Sequence, residues 1–188
     1  MTITALRATA HDESSGDAAS EDPLFTSNEE EPMTTTAATI SPWPLVRQGD
    51  RQHPVKTLQY LLRARGRNLA VDGIFGPNTD AAVRAFQQQK GLAVDGIVGR
   101  NTWSALIITV RQGSQGDAVR GVQEEFQFRN QSGDPGKGLQ VDGIFGAKTD
   151  AAVRGFQQAL HQDIPSVTVD GTVGPVTWQA LVSGMLSF

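Results

Sequence analysis

Between Val55 and Leu62 the apolar side chains fall at Val55, Leu58, Leu61 and Leu62, the three-and-four spacing that gathers one stripe on a helix. Pro54 suits the first turn of that helix and Gly66 its stop. A second helix is expected from about Pro77 to Lys90, with Val83 and Phe86 inward and Gly91 ending it. A third, from about Arg100 to Ile108, buries Trp103 and Leu106. Between these stretches lie short extended pieces, Leu69-Ala70-Val71 and Leu92-Ala93-Val94, with the composition to pair as a minimal ribbon.

The pattern then starts again. VRQGDRQHPVKTLQYLL at 46–62 aligns with VRQGSQGDAVRGVQEEF at 110–126, and VDGIVGRNTWSAL at 94–106 with VDGTVGPVTWQAL at 169–181. VDGIFGPNTDAAVRAFQQ at 71–88 and VDGIFGAKTDAAVRGFQQ at 141–158 differ at three of eighteen positions. The expected fold class is therefore mainly α, with two tandem three-helix modules, 44–108 and 109–185, joined by short extended turns. Insertions before Val141 and Val169 lengthen the second module.

One phrase, an apolar residue, any residue, then V-D-G-x-x-G-x-x-T, occurs four times, beginning at Leu69, Leu92, Leu139 and Val167. Asp-Gly tolerates a left-handed turn, because glycine carries no Cβ and the Asp carboxylate bonds its own loop backbone. Asp72 with Gly73, Asp95 with Gly96, Asp142 with Gly143 and Asp170 with Gly171 are accordingly read as structural turns. Gly76 and Gly146 then stand where the next helix begins, and Pro77 and Pro175 occupy the favoured first helical position. Thr79, Thr102, Thr149 and Thr177 fall in the first turn, where a hydroxyl can satisfy spare backbone groups. Calcium binding would need several oxygen ligands on alternate residues and a distal Glu, whereas the phrase offers one carboxylate. Gln59 and Gln123 lie on apolar faces, where an amide most economically satisfies loop backbone.

Residues 1–43 are rich in Thr, Ala, Ser, Glu and Asp and lack apolar periodicity, so a disordered acidic tail is expected. The tail supplies one basic residue, Arg7, against eight acidic ones within residues 1–41. An acidic docking peptide is the alternative reading of that segment. Residues 186–188 read as a short C-terminal tail. The N-terminus carries no apolar stretch of the secretory kind, and the longest strongly apolar run, Ala105 to Val110, is far shorter than the ~20 residues a bilayer needs. Residues 42–110 hold nine basic and four acidic residues, residues 111–188 six and eight. Cysteine is absent, which removes disulfides, thiolate metal sites and cysteine nucleophiles together.

Taken together, G-x-x-x-x-x-V-x-x-L-Q, then D-G-x-x-G-x-x-T-x-x-A-V-x-x-F-Q, then V-D-G-x-x-G-x-x-T-W-x-x-L resembles the peptidoglycan-binding domain family of three-helix modules. The resemblance covers residues 44 to 185, twice over. Such modules accompany bacterial cell-wall amidases, carboxypeptidases, cortex-lytic enzymes and phage lysins. The resemblance implies non-catalytic, bivalent attachment to peptidoglycan and a place at the cell wall or outside the cell. A cytoplasmic or particle-associated form is the alternative location.

A hydrolase would need a nucleophile with a base, paired carboxylates or a metal cluster. His11, His53 and His161 share no ligand spacing and read as surface residues, so no catalytic residue, metal or cofactor is expected. Peptidoglycan, rich in carboxylates and amides, calls for Arg, Asn and Gln on an accessible face. The candidates are Arg84 and Arg154 at equivalent helix positions, Gln87 and Gln157 one turn on, and Asn78, Arg100, Asn101 and Lys148 at helix starts. Trp103 and Trp178 read as core, three residues before Leu106 and Leu181, and Trp43 as a cover. The competing class is a structural or adaptor protein that docks a protein partner, through the tail or the modules, in a phage-like or injection assembly at the wall. Nucleic acid is not an expected partner, because Arg63, Arg65 and Arg67 lack interleaved aromatics in an acidic chain. The first module, richer in positive charge, is expected to contribute the larger and more salt-sensitive share of binding.

Overall fold

A computed structural model describes residues 39–130 and 138–186. Its elements are α1 (Val55–Ala64), α2 (Pro77–Gln89), α3 (Arg100–Leu106), α4 (Asp117–Arg129), α5 (Ala147–Asp163) and α6 (Pro175–Val182). The expected mainly helical class and the paired three-helix modules are therefore observed, and the described residues include no strand longer than an isolated bridge. None of the described helices is long and apolar enough to cross a membrane.

Each module forms around the side chains that the periodicity selects. Val55, Leu58, Leu61, Leu62, Val83, Phe86, Trp103 and Leu106 are fully buried in the first, as are Val119, Val122, Val153, Trp178 and Leu181 in the second. Full burial of each such chain favours folding by about 1.5–3 kcal/mol. Both tryptophans are core residues, as expected, and each indole N–H finds a carbonyl: Trp103 that of Pro44 at 2.8 Å, Trp178 that of Ile108 at 2.9 Å. Trp43 stacks on Trp103 with ring centroids 6.2 Å apart.

The extended pieces Leu69-Ala70-Val71 and Leu92-Ala93-Val94 do not pair with each other. The antiparallel bridges instead join each module's entry segment to both of its phrases, Arg51 to Ile74 and Val46 to Val98, then Gln115 to Ile144 and Val110 to Val173. The entry segment thus ties both turns of a module together, a role that residues separated by a whole helix from their partners do not advertise in sequence.

The expected tail, residues 1–43, lies outside the described residues except for 39–43, and these do not behave as a tail. Ile40 and Trp43 pack against the core, the Ser41 N–H donates to Met185 Sδ at 3.3 Å, and Gln179 Nε2 donates to the Ser41 carbonyl at 2.8 Å. At the other terminus, Leu186 also packs against the core rather than trailing as part of a tail. The residues just before the first module therefore strap across the second.

The modules cluster as one compact unit, joined along an antiparallel seam between α1 and α4. Lys56 meets Glu124 at 3.0 Å, while Arg63 meets Asp117 at 3.1 Å at the opposite end. Gly121 of α4 faces this seam, and a Cβ there would stand 3.5 to 3.7 Å from Trp178, Tyr60 and Thr57, ordinary packing distance. Burial and the Glu124 carboxylate push the Tyr60 phenol above its ordinary pKa. His53 is not the plain surface residue expected from sequence: its Nε2 lies 2.8 Å from Oε2 of fully buried Glu125. Arg129 meets the same Oε2 at 2.9 Å, and its Nη2 donates to the Leu181 carbonyl at 2.6 Å. Arg65, its counterpart in the first repeat, donates to the carbonyls of Leu106 and Ile107 at 3.0 and 2.7 Å. One arginine per module therefore satisfies the carbonyls that a helix end leaves open.

Candidate functional site

The four phrases fold alike because one buried glutamine holds each of them. Gln59 Oε1 accepts from the N–H groups of Asp72 and Gly73 at 3.0 and 2.9 Å. Its Nε2 donates to Asp72 Oδ1 at 2.7 Å, the Ile74 carbonyl at 3.1 Å and Thr79 Oγ1 at 3.2 Å. Gln123 does the same for Asp142, Gly143, Ile144 and Thr149. Each Asp also closes its own turn, Asp72 Oδ1 accepting the Ile74 N–H at 2.9 Å. The expected structural role of Gln59, Gln123 and the four Asp-Gly turns is what the fold displays, with Gly73, Gly96, Gly143 and Gly171 at φ between +71° and +78°.

Gln87 and Gln157 require a correction. Both are only 1% exposed and so offer no surface to a ligand. Gln87 accepts the Gly96 N–H at 3.0 Å and donates to Asp95 Oδ1, the Ile97 carbonyl and Thr102 Oγ1 at 2.9 to 3.2 Å. Gln157 repeats this with Asp170, Gly171, Thr172 and Thr177. The signal was present in sequence: VKTLQ, VRAFQ, VRGVQ and VRGFQ, at 55, 83, 119 and 153, are one motif written four times. A helix bearing that motif always serves the phrase that follows it. The threonines join the network by donating to loop carbonyls, as Thr79 does to Ile74 at 3.3 Å, and the helix N-caps themselves are glycines without side-chain capping bonds.

The cation of the same motif lies over the turn. Arg84 Nε donates to Asp80 at 2.8 Å and Nη1 to the Val94 carbonyl at 3.0 Å, roofing Gly96 so tightly that an added Cβ would stand 2.3 Å from Asp80 Oδ1. Arg154 pairs with Asp150 at 2.8 Å and reaches the Asp170 carbonyl at 2.9 Å over Gly171. Lys56 and Arg120 pack over Gly73 and Gly143. Arg84 and Arg154 remain nearly half exposed, but their guanidinium groups are already engaged.

Hydrogen bonding favours the ionised carboxylates of Asp72, Asp95 and Asp142. The Gln59 amide first, and the Ile74 N–H second, pull Asp72 below the ordinary carboxylate pKa. For Asp95 and Asp142 the larger cause is the Ile97 or Ile144 N–H, followed by Gln87 or Gln123. Among the described residues no group of three or more His, Cys, Asp or Glu is placed to hold a metal ion.

Above the buried networks the surface is grooved. Beside the second phrase a recess of about 230 Å³ is lined by Leu45, Leu92, Ala93, Arg100 and Asn101. Beside the third, one of about 440 Å³ is lined by Leu139, Gln140, Ala147 and Lys148. Beside the fourth, about 160 Å³ is bounded by Val167, Thr168, Pro175 and Val176. Each lies between the residues before the Asp-Gly turn and the first turn of the next helix. The fold thus brings Arg100, Asn101 and Lys148 to equivalent grooves, and leaves Asn78 exposed at the matching place on α2.

Residues 51–106 and 115–181 both match the family model described as "Putative peptidoglycan binding domain". The Zinc D-Ala-D-Ala carboxypeptidase of Streptomyces albus G is 38% identical over 81 residues, 42% of this chain and 27% of the relative. The chain thus spans about a quarter of the length of that curated relative. A Clostridioides difficile peptidoglycan-binding protein, crystallised with glutamine hydroxamate, shares 40% identity over 36% of this chain and 42% of its own, with a TM-score of 0.34. The Burkholderia AP3 phage endolysin shares 47% identity over 34% of this chain and 25% of its own, at a TM-score of 0.34. With two matched segments that fill well over half of its length, the chain belongs to the peptidoglycan binding domain family.

Proposed function

We propose that the chain attaches to peptidoglycan without acting on it, and that it does so through equivalent grooves repeated along both modules. Peptidoglycan-binding domains support cell-wall binding. The observation that supports the finer reading is the recurrence of a groove at the same place beside three of the four phrases, each floored by a buried glutamine network. A polymer with a repeating chemical unit is the natural ligand for a repeating surface. Modest contacts add when they are held in fixed relation, and a second site raises avidity by ~10² to 10⁴ where both reach one polymer. The seam between α1 and α4 supplies that fixed relation.

The non-catalytic part of the proposal is supported by how the carboxylates are employed. Asp72, Asp95 and Asp142 are held ionised by turn hydrogen bonds, the reverse of what a general acid requires. The grooves differ in charge: Arg100 serves the second and Lys148 the third, while Val176 makes the fourth apolar. Anionic stem peptides are therefore expected to favour the second and third. Sedimentation of the full chain with purified sacculi tests the reading. Co-pelleting without release of soluble muropeptides supports it. A chain that stays in solution while co-purifying with a defined protein would instead establish an adaptor.

A further inference from the structure

The two modules copy each other closely, so positions where the copies differ yet converge in space stand out. His53 occupies the place of Asp117 in the second copy, while Glu125 and Phe128 replace Leu61 and Ala64 of the first. All three meet at one end of the α1/α4 seam. The His53 ring stacks on Phe128 with centroids 4.0 Å apart and planes 12° apart, and Glu125 fixes its far edge at 2.8 Å. At the opposite end of the seam the Arg63–Asp117 pair closes the matching place.

Beside the stacked rings lies an open cleft of about 330 Å³, with Pro54 and Thr57 on its floor and Gln52, Lys56 and Glu124 among its walls. Phe128 is 40% exposed, an apolar ring presented to solvent although the equivalent residue in the first copy is a small alanine. Lys56 and Glu124 meet at 3.0 Å across the cleft and offset each other's charge, as Arg129 does for Glu125. An electrically balanced recess with an aromatic shelf, one donor cation and one acceptor carboxylate fits a neutral polyhydroxyl ring better than an anionic peptide.

We propose that this cleft holds a pyranose ring of an N-acetylated glycan, with its apolar face against Phe128 and its hydroxyls on Lys56 and Glu124. The assignment rests on the reading that the chain binds peptidoglycan, and it separates the two parts of that polymer. The glycan lies at the seam and stem peptides lie in the grooves beside Arg100 and Lys148. Because the site needs α1 from one module and α4 from the other, neither module carries it alone.

Titration of the full chain with the tetramer of β-1,4-linked N-acetylglucosamine, followed by amide NMR, tests the assignment. Saturable shifts are expected at Gln52 to Thr57 and Glu124 to Phe128. Phe128→Ala should weaken binding at least tenfold and Glu124→Gln several-fold, with unfolding midpoints kept. Absent shifts, shifts confined to the grooves, or unchanged affinity in both variants would overturn it. Should Phe128→Ala fail to fold, Glu124→Gln and Lys56→Gln on the cleft wall carry the same decision. Sacculi that pellet the parent while the tetramer leaves the cleft unshifted reject the cleft alone. Failure to pellet rejects the broader reading.

Discussion

The amide of Gln87 donates to the Asp95 carboxylate at 2.9 Å and its oxygen accepts the Gly96 N–H at 3.0 Å, so a helix side chain closes the turn that leads to the next helix. Three other glutamines stand in the same relation to their own turns. Surface grooves lie directly above three of these closures. Groove shape and fold stability therefore depend on the same hydrogen bonds.

Replacing Gln87 with Leu retains side-chain bulk but leaves the Gly96 N–H and the Ile97 carbonyl without their buried partner. A buried group left unpaired costs about 1–3 kcal/mol. Chemical denaturation should show a loss of that size for each group that water cannot reach, and a Q87L chain as stable as its parent would contradict the network.

Gly96 and Gly76 separate two uses of glycine in one motif. At Gly96, with φ +71°, a Cβ would stand 2.3 Å from Asp80 Oδ1 and 2.6 Å from Arg84 Nη2. Gly96→Ala should cost on the order of 1–3 kcal/mol, from the backbone conformation and the displaced ion pair. Gly76 has φ −88° and nothing within 4 Å of an added Cβ, so G76A should cost less. Thermal unfolding of the two variants ranks them.

Acid should weaken the fold through the turns. Asp72, Asp95 and Asp142 have pKa values lowered in the folded chain, so as pH falls the unfolded chain takes up protons first. Their contribution is complete above the ordinary Asp value of ~3.9 and is lost as pH drops toward the folded values. Urea midpoints of the parent and of Asp95→Asn should draw together below about pH 4. A gap that stays constant from neutral to acid pH would refute this sign.

Arg129→Met removes one partner from the buried Glu125 carboxylate and uncovers the carbonyl of Leu181. Breaking a buried pair on one side typically costs about 3–5 kcal/mol, and the damage should concentrate where α4 meets α6. Hydrogen exchange of the Trp178 indole, which is fully buried and bonded to Ile108, should accelerate more than that of Trp103.

Combined Arg100→Ala and Asn101→Ala changes touch exposed side chains that line a groove and enter no buried network. Sacculus retention should fall several-fold and lose part of its salt dependence, while the unfolding midpoint stays within about 0.5 kcal/mol of the parent. Arg84→Ala offers the contrast. Its main effect should be on stability, because that guanidinium is committed to Asp80 and the Val94 carbonyl.

Helix periodicity, the left-handed Asp-Gly turns and the apolar register of the tryptophans were legible in the chain because each depends on neighbours within a few residues, and the duplication because its copies can be aligned directly. Val55 to Leu62 cannot bury a stripe except as a helix, and Gly73 cannot be replaced cheaply at positive φ. The inward glutamines were legible only in part: Gln59 and Gln123 stand out on apolar faces, whereas Gln87 and Gln157 are marked only by the repeat of their motif. Taken one at a time they have the chemistry of surface ligands, and the approach of the following phrase to their helix shows that their amide nitrogen and oxygen are both bonded.

The seam was beyond sequence for the same reason. Glu125 and His53 are separated by 72 residues, and nothing local distinguishes a carboxylate that will be buried against a distant imidazole from one facing water. Short-range sterics and apolar spacing determined the two modules. Packing between α1 and α4, a long-range choice made by burial and charge pairing together, decided how they join and which surfaces remain exposed.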